Sequence, residues 1–216
     1  MYGKPPIFVA DFDNVALPEV MHYLYLPVAM LGQDGIRLPN NLMGLRPMIF
    51  LAKRHVLAQE GHGYKYVYLT ARKGWASPDN PLNRPGWHCD GFGTKYLNYI
   101  WWSGPGTRFA VQKFKDISNN HLDSLRQFEE QIDATRIQNG TERGLYALDP
   151  FVVHATPLIE PPGCMRQFVK ISFSDHRYNL ADNSHNHLFD YDWPTHPRDV
   201  LRNDPHKAQL DYVEET

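Results

Sequence analysis

Apolar and polar positions along the chain mark out short strands more often than helices. Ile7-Phe8-Val9-Ala10 is a brief apolar run and reads as a first strand. Tyr64 to Thr70 alternates and is rich in strand formers. Leu97-Asn98-Tyr99-Ile100-Trp101-Trp102 is another strand, ended by Ser103-Gly104-Pro105-Gly106. Thr107 to Phe114, Gly144 to Leu148, Phe151 to Thr156 and Cys164 to Ser174 complete the set, with turns at Asp149-Pro150 and Glu160-Pro161-Pro162-Gly163. Helical spacing is clear twice. Leu45 to Gln59 puts Met48, Ile49, Leu51, Ala52, Val56 and Leu57 on one side and stops at Gly61 and Gly63. A second helix, capped by Asn119 or Asn120 and running to about Gln138, buries Leu122, Leu125, Phe128 and Ile132. Pro18 to Leu31 has mixed helical character. Strands joined closely by turns predict an antiparallel sandwich or barrel.

Composition narrows the field. The chain has 216 residues, 42% of them hydrophobic, which suits one domain with a full core. The net charge of −2 gives no single-signed field, so there is no nucleic-acid signature. The longest apolar stretch, Tyr23 to Leu31, is broken by Pro27 and too short to span a membrane. Two cysteines, Cys89 and Cys164, make no disulfide framework. With no signal-like start, the expected setting is reducing and cytoplasmic. Asp11-Phe12-Asp13-Asn14 has the D-x-D look of a phosphotransfer motif, but reads more simply as a polar turn after an edge strand.

The chemistry concentrates at Trp87-His88-Cys89-Asp90-Gly91-Phe92. In extended chain His88 and Asp90 share a face. His154 ends the apolar run Phe151-Val152-Val153, 64 residues after Asp90 (154 − 90), far enough to meet it across a rolled sheet. Two histidines and one carboxylate make the facial triad of non-haem Fe(II) oxygenases, with positions left open for a cosubstrate and O2. On the next strand Arg166, Phe168, Lys170 and Ser172 share a face. A cation inside a barrel needs an anion, and the turn at Glu160 to Gly163 is expected to set this strand beside the one bearing His154.

His88-x-Asp90, then His154, then Arg166 or Lys170 with Ser172, resembles the iron(II)- and 2-oxoglutarate-dependent dioxygenase superfamily. The resemblance covers roughly residues 64–174. It implies a mainly β fold with flanking helices, a double-stranded β-helix of the jelly-roll or cupin-like barrel kind. It implies that His88, Asp90 and His154 hold Fe(II). Arg166 or Lys170, with Ser172, would grip the 2-oxoglutarate carboxylate; Arg166 has the better fork for a carboxylate and ranks first, with Lys170 as the alternative because Lys170-x-Ser172 looks more like the Arg-x-Ser signature of some members. The implied activity is a hydroxylation that releases succinate and CO2.

The expected organisation is a single domain: a strand and helical flank over 1–63, a β-helix core over 64–174 with an inserted helix at about 120–138, and an extension over 175–216 that includes Asn183, His185 and Asn186 as a possible lid. Candidate substrate contacts are Tyr68, Thr70, Arg72, Asn98, Tyr99 and Trp101, with a small molecule as the default partner and the oligomeric state unread. Rivals are a cupin-like Zn or Mn isomerase or hydrolase, a non-catalytic binding barrel, and a phosphotransfer enzyme on Asp11 and Asp13, which would need a parallel sheet.

Overall fold

Two antiparallel sheets face one another, and each has a helix on its outer side. The computed structural model describes residues 1–198. The larger sheet runs β1 (Ile7–Asp11), β7 (Gly144–Leu148), β4 (Asn98–Ser103), β9 (Cys164–Ser174), β3 (Tyr66–Ala76) and β2 (Met21–Met30) in spatial order. The smaller runs β6 (Ile137–Asn139), β5 (Arg108–Ala110) and β8 (His154–Ala155). The chain crosses between sheets after β4, β6, β7 and β8, and this is a mainly β, jelly-roll architecture with flanking helices.

Period-2 alternation assigns the faces. On β4, Tyr99 and Trp101 point outward with Val169 and Ile171 of β9 and Leu69 and Ala71 of β3. They pack on Met48, Ile49, Ala52 and Val56 of α1 (Arg46–Glu60). Gly61, with φ of 73°, ends α1 in the left-handed conformation that glycine adopts without strain. Ile100, Trp102 and Phe168 point inward and meet Phe109 and Val152. On the far side α2 (His121–Gln131) lays Phe128 on Trp87, Cys89, Ala110 and Val153. Its cap is Asn120, whose side-chain oxygen accepts from the amides of Leu122 and Asp123.

Several expectations needed correction. Pro18 to Leu31 holds the ten-residue strand β2 rather than a helix; its pairing with β3 shifts between Tyr23 and Leu26 and between Pro27 and Ala29, so its alternation is hidden. The second helix stops at Gln131, and the residues expected to extend it form a short 3-10 turn and β6. Only His154–Ala155 of the run Phe151 to Thr156 is strand. Nor do β8 and β9 pair. Residues 156–163, with Pro157, Pro161 and Pro162, cross from one sheet to the other, so β9 lies between β4 and β3, in the sheet opposite β8. Asp11 and Asp13 are exposed, at an edge strand and the turn after it. Of the extension expected over 175–216, residues 199–216 lie outside the described residues.

The entry to β9 depends on Gly163. Its φ is 102°, and a Cβ there would lie 2.2 Å from the Ala76 carbonyl oxygen. Gly163→Ala should therefore lower unfolding free energy by about 2 kcal/mol or more. At Gly74 the nearest atom to an added Cβ is a Leu82 methyl at 3.5 Å, so Gly74→Ala should change stability by less than about 1 kcal/mol. Urea denaturation of both variants checks the contrast, and equal losses would contradict it.

Candidate metal centre

The residues from Trp87 to Asp90 alternate as extended chain should. Trp87 and Cys89 enter the apolar cluster around Phe128, while His88 and Asp90 turn to the space between the sheets. His88 and His154 exchange both backbone hydrogen bonds, at 3.0 and 2.9 Å, which extends the smaller sheet by one bridge. The imidazoles lie side by side with centroids 4.5 Å apart. One ligand atom from each of His88, Asp90 and His154 falls within 4.8 Å of the others. Among the described residues this is the one cluster of three or more such side chains.

Local hydrogen bonds fix the tautomers. Nδ1 of His88 lies 2.9 Å from the Gly86 carbonyl, and Nδ1 of His154 lies 3.1 Å from the Val152 carbonyl. A carbonyl only accepts, so each Nδ1 carries the proton and each Nε2 keeps its lone pair. Nε2 of His154 is 3.6 Å from Oδ2 of Asp90. Two neutral imidazole nitrogens and a carboxylate converging on one point fit a divalent metal with open positions. Cys89 is not part of this set: it faces away, and burial, with the Asp90 charge, pushes its thiol well up.

A cation stands beside the cluster. Nζ of Lys170 lies 3.1 Å from Oδ1 of Asp90 and donates to the Tyr25 hydroxyl, also at 3.1 Å. Burial alone would raise the Asp90 carboxyl; the Lys170 ammonium beside it outweighs this and holds the carboxyl well below its usual range. Burial pulls the Lys170 ammonium down, but Asp90 and Tyr25 more than reverse this, and it is held above its usual value. Tyr25 sits in the left-handed region at φ 48°, at the β2 irregularity, and its amide donates to Oγ1 of Thr70. That strained turn directs its hydroxyl at Lys170. Tyr178 packs edge-on to Tyr25 at 5.1 Å and stacks on Tyr68 at 4.3 Å.

The sequence candidates separate accordingly. Lys170, Ser172, Thr70, Tyr68, Arg72 and Asn98 are on the inner face, by their pairing across β3, β9 and β4. Ser172 donates to Oδ1 of Asn98 at 2.6 Å. The Tyr68 hydroxyl donates to the His176 carbonyl and accepts from the Tyr178 amide. Tyr99 and Trp101 belong to the opposite face, fully buried against α1; no substrate between the sheets can touch them. Arg166 is buried with its guanidinium on the carbonyls of Pro105 and Pro81 and on the Asn83 side chain. It braces two loops, and Lys170 is the cation next to the metal-ligand cluster. Asn186 is buried and donates to the carbonyls of Pro27 and Arg37, a pin rather than a lid. Asn183 donates to the Tyr178 carbonyl, and His185 stacks on Tyr191. Tyr25 and Tyr178 were missed. Tyr25 had a faint signal, as every second residue of Tyr23-Leu24-Tyr25; Tyr178 had none.

No family model matches the chain, and no curated protein does. Eight solved chains match. Two of them are crystal structures of EvdO2 from Micromonospora carbonacea var. aurantiaca. One is 15% identical with a TM-score of 0.37, covering 65% of each chain. The other, complexed with 2-oxoglutarate, is 13% identical with a TM-score of 0.37, covering 73% of this chain and 80% of that one. The chain thus spans about 65% of the length of the first. A likeness at that TM-score carries no weight for the chemistry. No helix among the described residues is long and apolar enough to cross a membrane.

His88 also sets a pH dependence. Burial, and then the nearby His154 and Arg84, hold its imidazole well below the usual value. The unfolded chain takes up a proton near pH 6.5 where the folded one does not. Stability of the metal-free protein should therefore fall as pH drops below about 6.5. Thermal unfolding between pH 8 and 5 reads this directly. His88→Gln should flatten the slope, and an unchanged slope would remove His88 as its source.

Proposed function

We propose that the protein is an Fe(II)- and 2-oxoglutarate-dependent dioxygenase that hydroxylates a small molecule with formation of succinate and CO2, a single-domain member of the superfamily it resembles. The observation that carries this reading is the pairing of a two-histidine, one-carboxylate cluster with the buried Lys170 ammonium beside it. A cupin-like zinc or manganese enzyme needs the first but has no use for the second.

His88, Asp90 and His154 would hold the metal through both Nε2 atoms and the carboxylate. The Gly86 and Val152 carbonyls keep those imidazoles in the tautomer and orientation that coordination needs. Lys170 and the Tyr25 hydroxyl are the donors available to the cosubstrate's distal carboxylate, and Ser172 joins them only by giving up its bond to Asn98. The iron and 2-oxoglutarate supply the oxidation of a C–H bond when bound, while the protein positions and desolvates the reactants. Trp102, Phe109 and Phe168 give the space between the sheets a dry wall on one side.

The test is succinate release from 2-oxoglutarate in air with Fe(II), alone and with a panel of small molecules. Turnover that requires both iron and 2-oxoglutarate is expected, and at least one panel member should accelerate it. No succinate across the panel, with metal bound, would refute the dioxygenase reading and leave the rival metal enzyme.

A further inference from the structure

Arginines crowd the loop that delivers His88. Arg72, on β3, donates from Nη1 to the Leu82 carbonyl at 2.6 Å. Arg166, on β9, donates to the Pro81 carbonyl and the Asn83 side chain, and Arg84 follows in the same loop. The bonds Arg72 and Arg166 make are all to uncharged acceptors: among the described residues no carboxylate lies within ion-pair distance of either. Nη2 of Arg166 is buried with no hydrogen-bond partner. Burial, with the Arg72 charge adding to it, brings the Arg166 guanidinium down to about 10. The Arg166 guanidinium is held out of water without an anion, with Arg72 beside it, which is unfavourable unless an anion arrives.

Lys170 cannot account for that anion. A divalent metal with Asp90 and a dicarboxylate carries a net single negative charge, and the Lys170 ammonium cancels it. Arg72 and Arg166 are left over. Arg166 is enclosed, at 1% exposure, whereas Arg72 is half-buried toward the edge of the inner face, next to β2, where it pairs with His22. Across β3 and β9 Arg72 pairs with Phe168, two residues from Lys170, or roughly 7 Å along the strand.

We propose that Arg72 anchors an oxyanion subsite at the rim of the inner face, distinct from the cosubstrate's, with Arg166 lending its charge from behind. The ligand class is a carboxylate or phosphate. That this oxyanion is part of the substrate rests on the proposed dioxygenase function, and the substrate is then a small anionic molecule oxidised several atoms away from its acid group. The anion subsite itself stands without that function.

Isothermal titration tests it on the full chain loaded with redox-inert Zn(II), with and without saturating 2-oxoglutarate. The probes are inorganic phosphate and, separately, butyrate; the tighter one identifies the acid group. The wild type should bind an oxyanion in addition to 2-oxoglutarate. Arg72→Gln, which removes the charge and keeps a polar side chain, should weaken that binding by about tenfold, and Arg72→Lys should restore most of it. Affinity for 2-oxoglutarate should move by less than about threefold in either variant. Equal oxyanion affinity in wild type and Arg72→Gln would overturn the assignment, and so would an oxyanion that simply competes with 2-oxoglutarate. Should no protein bind 2-oxoglutarate while the oxyanion still depends on Arg72, the subsite holds and the dioxygenase reading fails.

Discussion

Asp90→Ala is expected to abolish metal binding and to destabilise the metal-free fold. Lys170 is only 9% exposed, and its nearest anionic partner is Asp90 at 3.1 Å. Without that carboxylate the ammonium keeps the Tyr25 hydroxyl alone. Breaking a buried pair on one side costs about 3–5 kcal/mol, because the remaining charge stays desolvated. The double variant Asp90→Ala/Lys170→Met removes the stranded charge and should recover most of the lost stability, yet still bind no metal. Urea denaturation and metal titration on the same samples separate the two effects. A single variant as stable as wild type would show that the pair is not desolvated. A double variant that binds metal normally would remove Asp90 from the ligand set.

The second large effect divides Lys170 from Arg166. In metal-loaded protein Asp90 has the metal as its partner, so removal of Lys170 no longer strands a carboxylate. Lys170→Ala should then act on the cosubstrate, raising the 2-oxoglutarate KM by about tenfold or more. Arg166→Ala should act on the fold. It takes donors from the Pro105 and Pro81 carbonyls and the Asn83 side chain, a loss of about 2–4 kcal/mol, with the KM changed by less than about threefold. Steady-state kinetics and thermal unfolding of both variants check this division. The same modest KM rise in each would defeat the assignment of Lys170 to the cosubstrate.

Much of this site was legible because alternation is a strict rule. The period of two put Arg166, Lys170 and Ser172 of β9 on one face, and that is the inner face. It could not say which cation meets Asp90, since that depends on how far each lies from the bridge between His88 and His154, a contact between distant residues. The same rule, applied to β4, already forbids Asn98 sharing a side with Tyr99 and Trp101, and those two lie against α1. β2 was lost to its own irregularity. Pro18 and Pro27 look like breakers, and the register shifts around Tyr25 blur the alternation, so the residue that orients Lys170 went unseen. The crossing between sheets at residues 156–163 reads as a hairpin in the sequence because its proline and glycine signals do not distinguish a turn back from a passage across.

The central claim is that His88, Asp90 and His154 form an iron centre that takes 2-oxoglutarate. Anaerobic titration of the protein with Fe(II) and then 2-oxoglutarate, followed by visible absorption, tests it most directly. A weak charge-transfer band that saturates at one equivalent and is missing from His88→Ala is the predicted result. A wild type without the band, or a His88→Ala variant with the same band, would contradict it.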